Sequence, residues 1–113
     1  MKVLLVNGSP HKEGCTYTAL SEVSKALNES DIDTDMMWIG VKPISGCIAC
    51  KVCVKKGECA LGGTVNEFLS IAGDYDGFVF GTPVHWGAAS GGMPLFLTEL
   101  FMPTYAEEEI VFI

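Results

Sequence analysis

The sequence predicts an α/β fold: a parallel sheet covered by helices on both faces. Three observations carry this. Short unbroken apolar runs, "KVLLV" and "FVF", have the character of strands buried on both sides. The stretches between them repeat their apolar residues at helical spacing. Strands alternating with helices of about ten residues or more make βαβ units, whose strands run parallel.

The first strand, "KVLLVN", is closed by the turn residues "GSP". From Thr16 the period changes. Tyr17, Leu20, Val23 and Leu27, with Ala19 and Ala26 alongside, oppose Ser21, Glu22, Lys25 and Glu29, an amphipathic helix ending near Asn28. "DTDMMWI" is a second strand, broken by Gly40 and Pro43. A cysteine-rich loop follows, in which Gly57, Gly62 and Gly63 limit regular structure. Thr64 is placed to cap a helix whose Val65, Phe68, Leu69 and Ala72 share one apolar face. "DGFVFGTP" is a third, buried strand, "SGGMPLFLTELF" a third helix and "EEEIVFI" a fourth strand. Residues 1–113 read as one domain without repeats, linkers or low-complexity segments.

Charge narrows the function classes. The formal net charge is −7, which argues against a nucleic-acid surface or an anionic membrane as partner. Lys42, Lys51, Lys55 and Lys56 flank the cysteines and read as the solvated rim of a loop. No apolar run approaches the ~20 residues of a membrane span. "MKVLLVNGSP" is too short for the apolar core of a signal peptide, so a cytoplasmic location with reduced thiols is expected.

In sheets of this kind ligands gather beyond the C-terminal strand ends, where strand order reverses. Two loops occupy those positions. "NGSPHKEGCTYT" combines Gly8 and Gly14 with the hydroxyls of Ser9, Thr16 and Thr18 at a helix start, which suits an anion. It has neither a Walker A Gly-Lys-Ser/Thr nor G-x-G-x-x-G, which points to a monophosphate. "TPVHWGAASGG" mixes a proline, aromatic rings and small residues, and can lay N–H groups and a ring against a flat heterocycle.

Cys47, Cys50, Cys53 and Cys59 follow the spacing C-x2-C-x2-C-x5-C. Four thiolates in so short a run can hold a [4Fe–4S] cluster or zinc, or carry no metal, and spacing alone leaves all three open. Cys15 is the remaining cysteine. At a helix start it is either a reactive thiol or simply a small residue that fits.

"GSPHKEGCTYTAL" and "GTPVHWGAASGGMPLFLTEL", with the cysteine segment between them, resemble the NADPH-dependent FMN reductase family of the flavodoxin-like fold. The resemblance spans nearly the whole chain and implies a sheet in the order 2-1-3-4. It implies that Ser9, His11, Cys15, Thr16 and Tyr17 surround the FMN phosphate, and that Pro83, Val84, His85, Trp86 and Gly87 line the isoalloxazine ring. NAD(P)H is then the co-substrate, and a quinone, a flavin, another small molecule or a redox protein the acceptor. No side chain is assigned as a catalytic acid or base. A related subgroup, the iron–sulfur flavoproteins, has a compact cysteine motif in the same place, which makes an electron carrier with a cluster on Cys47, Cys50, Cys53 and Cys59 the first alternative. The second is a shortened, non-enzymatic flavodoxin-like module. Family members usually continue further, so the resemblance implies a chain truncated after its fourth strand. It further implies a partner subunit at the open sheet edge, most simply in a homodimer. Departures from the family pattern are Cys15, Pro94 early in the third helix, and Thr98-Glu99 where relatives often have Asp-Arg.

Overall fold

The computed structural model is described over residues 1–101 and 109–112. Its elements are β1 (Lys2–Asn7), α1 (Cys15–Glu29), β2 (Asp33–Trp38), α2 (Val52–Lys56), α3 (Thr64–Ala72), β3 (Gly77–Gly81), β4 (Val84–His85), β5 (Ala88–Ala89), α4 (Gly92–Phe101) and β6 (Glu109–Phe112). Of the predicted strand "EEEIVFI", Glu107, Glu108 and Ile113 lie outside the described residues.

Four strands form one parallel sheet in the order β2-β1-β3-β6. This is the predicted order, with β6 as the fourth strand. The arrangement is flavodoxin-like. β1 is central: Leu4 stands opposite Asp35 on one side and Phe78 on the other.

Alternation along β1 divides the core in two, because successive side chains leave a strand on opposite faces. Val3 and Leu5 join Val79 and Leu20 of α1 on one face, with Val23, Leu27 and Ile32 packed around them. Leu4 and Val6 face the other way, into a larger core with Phe78, Phe80, α3 (Val65, Phe68, Ala72) and α4 (Met93, Phe96). Phe68 is its hub, with ring centroids 4.9 Å from Phe78 and 5.4 Å from Phe96, the latter edge-on. Full burial of such a side chain stabilises by roughly 1.5–3 kcal/mol. On α1 the buried stripe is narrower than the sequence period suggests: Leu20 is buried, while Tyr17, Ala19 and Ala26 are exposed.

Three local features differ from the sequence reading. The cysteine loop contains a short helix, α2, closed by Gly57 at φ +72, whose N–H donates to the Cys53 carbonyl. Lys55 and Lys56 lie in its last turn, where a helix end favours cations. Thr64 is not a cap: Gly63 is, at φ +76, and Thr64 is the first, buried residue of α3. Gly62 and Gly63 both have positive φ and bring the chain into the helix one residue early. The loop after β3 is an antiparallel hairpin, β4–β5, turning at Trp86 (φ +54) and Gly87 (φ +74). Pro94 falls in the first turn of α4, where its missing N–H has no helical partner to lose.

Candidate functional site

The first loop begins with Asn7, buried at the end of β1. Its side-chain oxygen accepts the Ser9 N–H (3.0 Å), and its amide donates to the Lys12 carbonyl (3.0 Å). This Asx turn reverses the chain immediately after the strand. Ser9 is consumed in the same task. Its Oγ accepts the His11 N–H at 3.1 Å, and its carbonyl accepts the Trp38 indole N–H at 2.7 Å. Gly40 lies so close that a Cβ there would meet the Ser9 carbonyl oxygen at 1.7 Å. Backbone contact of that kind requires glycine.

The loop delivers the start of α1 without a capping side chain. Gly14 is its N-cap in extended conformation, and the first intrahelical bond runs from the Thr18 N–H to the Gly14 carbonyl. The N–H groups of Cys15, Thr16 and Tyr17 are the donors such an end leaves unmet. Cys15 and Thr16 line a hollow of about 210 Å³ with Ala19, Leu20, Gly81 and Thr82. A phosphate monoester is suited to this place: the Thr16 hydroxyl, outward N–H groups, and the positive end of a helix dipole.

The second loop is bound to the first. Gly8 donates its N–H to the Gly81 carbonyl at 2.8 Å. Ser90, buried, donates its hydroxyl to the Gly8 carbonyl at 3.1 Å. Thr82 Oγ1 accepts the Ser90 N–H at 3.1 Å, and its hydroxyl lies 3.0 Å from that of Ser90. The Pro83 carbonyl accepts the Ser90 N–H at 3.2 Å as well. The hairpin therefore rises from a base fixed to the first loop. Val84, His85, Trp86 and Gly87 are exposed on it, and Trp86 stands wholly in solvent.

The expected residues thus separate into groups. Cys15 and Thr16 share a hollow with the end of β3. Ser9 shapes the loop from within, and His11 is exposed. Pro83 forms the hairpin base. Tyr17 instead lines a different hollow with Lys12 and Trp38. Sequence reasoning missed the structural roles of Asn7, Thr82 and Ser90; an Asn ending a buried strand before Gly-Ser was the available signal for the first.

The four clustered cysteines line one small apolar hollow together with Ile48, Ala60 and Leu61. Both ends of the segment are anchored. The Cys47 N–H donates to Thr98 Oγ1 on α4 at 3.1 Å. The Asn66 side chain of α3 clasps Cys59, accepting its N–H at 2.7 Å and donating to its carbonyl at 2.8 Å. Ala49 and Lys51 hold positive φ (+58 and +64), and the Ala49 N–H donates to the Cys47 sulfur at 3.3 Å. Positive φ at non-glycine residues is strain of the sort found at functional sites. Among the described residues no disulfide joins the cysteines, and no three His, Cys, Asp or Glu side chains stand in metal-holding geometry. The donor set is chemically suited to iron–sulfur or zinc, but the sulfurs are gathered without being arranged for ligation.

The profile of the NADPH-dependent FMN reductase family matches residues 1–110. The chain belongs to that family. An iron–sulfur flavoprotein of Methanocaldococcus jannaschii is 32% identical over 97 residues, covering 86% of this chain and 50% of the relative. One of Archaeoglobus fulgidus is 27% identical over 100 residues (88% and 46%). A third, of Clostridioides difficile, is 28% identical over 105 residues (90% and 47%). This family member spans about half the length of the curated relatives it matches. Among its described residues no helix is long and apolar enough to cross a membrane.

Proposed function

We propose that the chain binds FMN and passes electrons from NAD(P)H to a quinone, a flavin or a similar small acceptor, as a cytoplasmic homodimer. One observation carries this reading. The uncapped start of α1 and the β4–β5 hairpin are joined through Gly8 and Ser90 into one cradle. The N–H groups of Cys15 and Thr16, with the hydroxyl of Thr16, are the phosphate donors. The segment Pro83–Gly87 takes the ring edge through backbone N–H groups near Trp86 and Gly87. Bound FMN supplies the hydride and electron chemistry, so the protein's part is binding, orientation and an open ring face. FMN fluorescence titrated against the apoprotein, then anaerobic bleaching of the flavin absorbance by NADPH, tests it. Quenching followed by bleaching is expected; FMN that stays fully fluorescent would leave a non-enzymatic module.

A second reading has its own support: four thiols around one apolar hollow, in a chain similar to proteins named iron–sulfur flavoproteins. Cys47, Cys50, Cys53 and Cys59 would hold a [4Fe–4S] cluster, giving single-electron transfer toward a redox protein. Anaerobic reconstitution with iron and sulfide tests it. About four iron per chain and an EPR signal on reduction are expected, both lost in Cys50→Ser. Iron-free protein, or zinc in its place, overturns it.

A further inference from the structure

A hollow of about 490 Å³ opens where the chain enters α3. Pro43 and Ile44 line it from the segment after β2, and Leu61, Thr64 and Val65 from the turn and first residues of α3. Its walls are held in place. Ile44 packs against the core that contains Val65. Lys42, just before Pro43, pairs with Glu67 of α3 at 3.1 Å. The Gly62 N–H donates to the Cys59 carbonyl at 3.1 Å, and Asn66 clasps the same Cys59. The volume lies within the range of small-molecule sites.

Two independent observations point to a ligand here. The first is the helix end. Gly63 caps α3 without a side-chain bond, and the first intrahelical bond runs from the Glu67 N–H to the Gly63 carbonyl at 3.1 Å. The N–H groups of Thr64, Val65 and Asn66 are left as donors. The second is Thr64 itself. It is only 6% exposed, yet among the described residues its hydroxyl has no hydrogen-bond partner. Among those residues no fully covered side-chain nitrogen or oxygen lacks a partner. The Thr64 oxygen is therefore not sealed in the core, and the hollow that Thr64 lines is where it opens. Entry into the helix one residue early frees it. As N-cap, Thr64 would spend that oxygen on the helix; as the first helical residue it offers it to an occupant.

The lining sets the chemistry of that occupant. Among the described residues no acidic or basic side chain lines the hollow, and Glu67 in the first turn of α3 is matched by Lys42. Helix N–H groups favour a negative end on the ligand. Without a cation in the lining, and in a chain of formal charge −7, a dianion such as phosphate is disfavoured. A single charge is what the N–H groups and one hydroxyl can hold. Pro43, Ile44, Leu61 and Val65 are apolar, and Leu61 is 43% exposed, so the rest of the ligand is apolar. We propose that this hollow binds an organic monocarboxylate with an apolar body. Its carboxylate accepts from the N–H groups of Thr64 and Val65 and from the Thr64 hydroxyl. The site is separate from the flavin cradle and does not depend on that reading.

Phenylacetate titrated into the isotope-labelled chain, followed by backbone amide NMR shifts, tests this. Saturable shifts of Thr64 and Val65 are expected, with Cys15 and Thr16 unmoved. Acetate, phenylacetamide and inorganic phosphate should each bind at least about tenfold more weakly. The first lacks the apolar body, the second lacks the charge and the third adds one. Thr64→Val keeps the shape without the hydroxyl and should lower phenylacetate affinity about tenfold, with Thr64→Ser restoring it. Should Thr64→Val not fold, the four ligands compared on the wild-type chain decide. Any of the other three binding as tightly as phenylacetate would overturn the ligand class. Absent shifts, shifts centred on Cys15 and Thr16, or Thr64→Val binding like the wild type would overturn the site. Added FMN should leave phenylacetate affinity unchanged; competition between them would overturn it as a separate site.

Discussion

Ser90 donates its hydroxyl to the carbonyl of Gly8, 82 positions earlier in the chain, at 3.1 Å. That bond is buried, and it fixes the hairpin base to the loop after β1. Ser90→Ala leaves the Gly8 carbonyl with one partner fewer and removes the hydroxyl facing Thr82. A loss of about 1–3 kcal/mol is expected, measured by urea denaturation, together with weaker FMN retention. FMN affinity unchanged in a destabilised variant would show the two loops to be independent.

Gly40 is the position least able to accept a side chain. A Cβ there would overlap the Ser9 carbonyl oxygen and lie 2.9 Å from the Pro10 nitrogen. Gly40→Ala should therefore cost about 3 kcal/mol or more and shift Trp38 emission, since Trp38 is bonded to the displaced carbonyl. Gly73→Ala is the control. It sits at φ −64 and ψ −18 with open space around its Cβ, so it should be neutral or stabilising by up to about 1 kcal/mol.

The N-terminal ends of the strands carry a charged cluster. Tyr75 donates to Asp35 at 2.7 Å, and Lys2 lies 3.1 Å from the same carboxylate. The Tyr75 hydrogen bond, then Lys2, hold Asp35 below its ordinary 3.8. A depressed carboxylate stabilises the fold above its unfolded value, and the gain is lost as pH falls through the folded one. Lys2 is raised above 10.5, first by its bond to Asp35. Tyr75 is raised above 10.0, by slight burial and then by Asp35. Both contributions are complete below those values and are lost as pH rises through the folded ones. The cluster should give a stability plateau from about pH 4 to about pH 10. Tm measured against pH should lose both shoulders in Asp35→Asn, and high salt should shrink them, because the groups are exposed.

Trp86 combines full exposure with φ +54. A bulky residue in that region is strained by roughly 1–3 kcal/mol, and no packing offsets it. Asn-Gly suits a two-residue hairpin turn with positive φ at both positions. Trp86→Asn should raise stability by about 1 kcal/mol and reduce FMN affinity. A stabilised variant that binds FMN as well as the wild type would remove Trp86 from the flavin site.

The layered fold was legible because its signal is local. Val3 to Val6 and Phe78 to Phe80 show strand character within a few residues, and Leu20, Val23 and Leu27 show helical period. β4 and β5 were not, since Val84–His85 and Ala88–Ala89 are too short to display alternation. The two loops of the site could be found from their place after β1 and β3. What joins them could not: Asn7, Thr82 and Ser90 act through bonds to residues chosen by the folded sheet. Tyr17 sits on the apolar stripe of α1 by period, yet at the first turn it meets Trp38 and Lys12 instead of the sheet core. The clasp of Asn66 on Cys59 is likewise a tertiary contact between a helix and a turn.

The Gly8 N–H, donated to Gly81 at 2.8 Å, prolongs the ladder between β1 and β3 past the last strand residue. Its proton can be traded for deuterium only when the two central strands part. That amide should consequently exchange at the pace of global unfolding, far behind those of His11 to Gly14 beside it. Occupancy of the cradle would then be limited by ligand and solvent traffic, with its floor kept in place by the middle of the sheet.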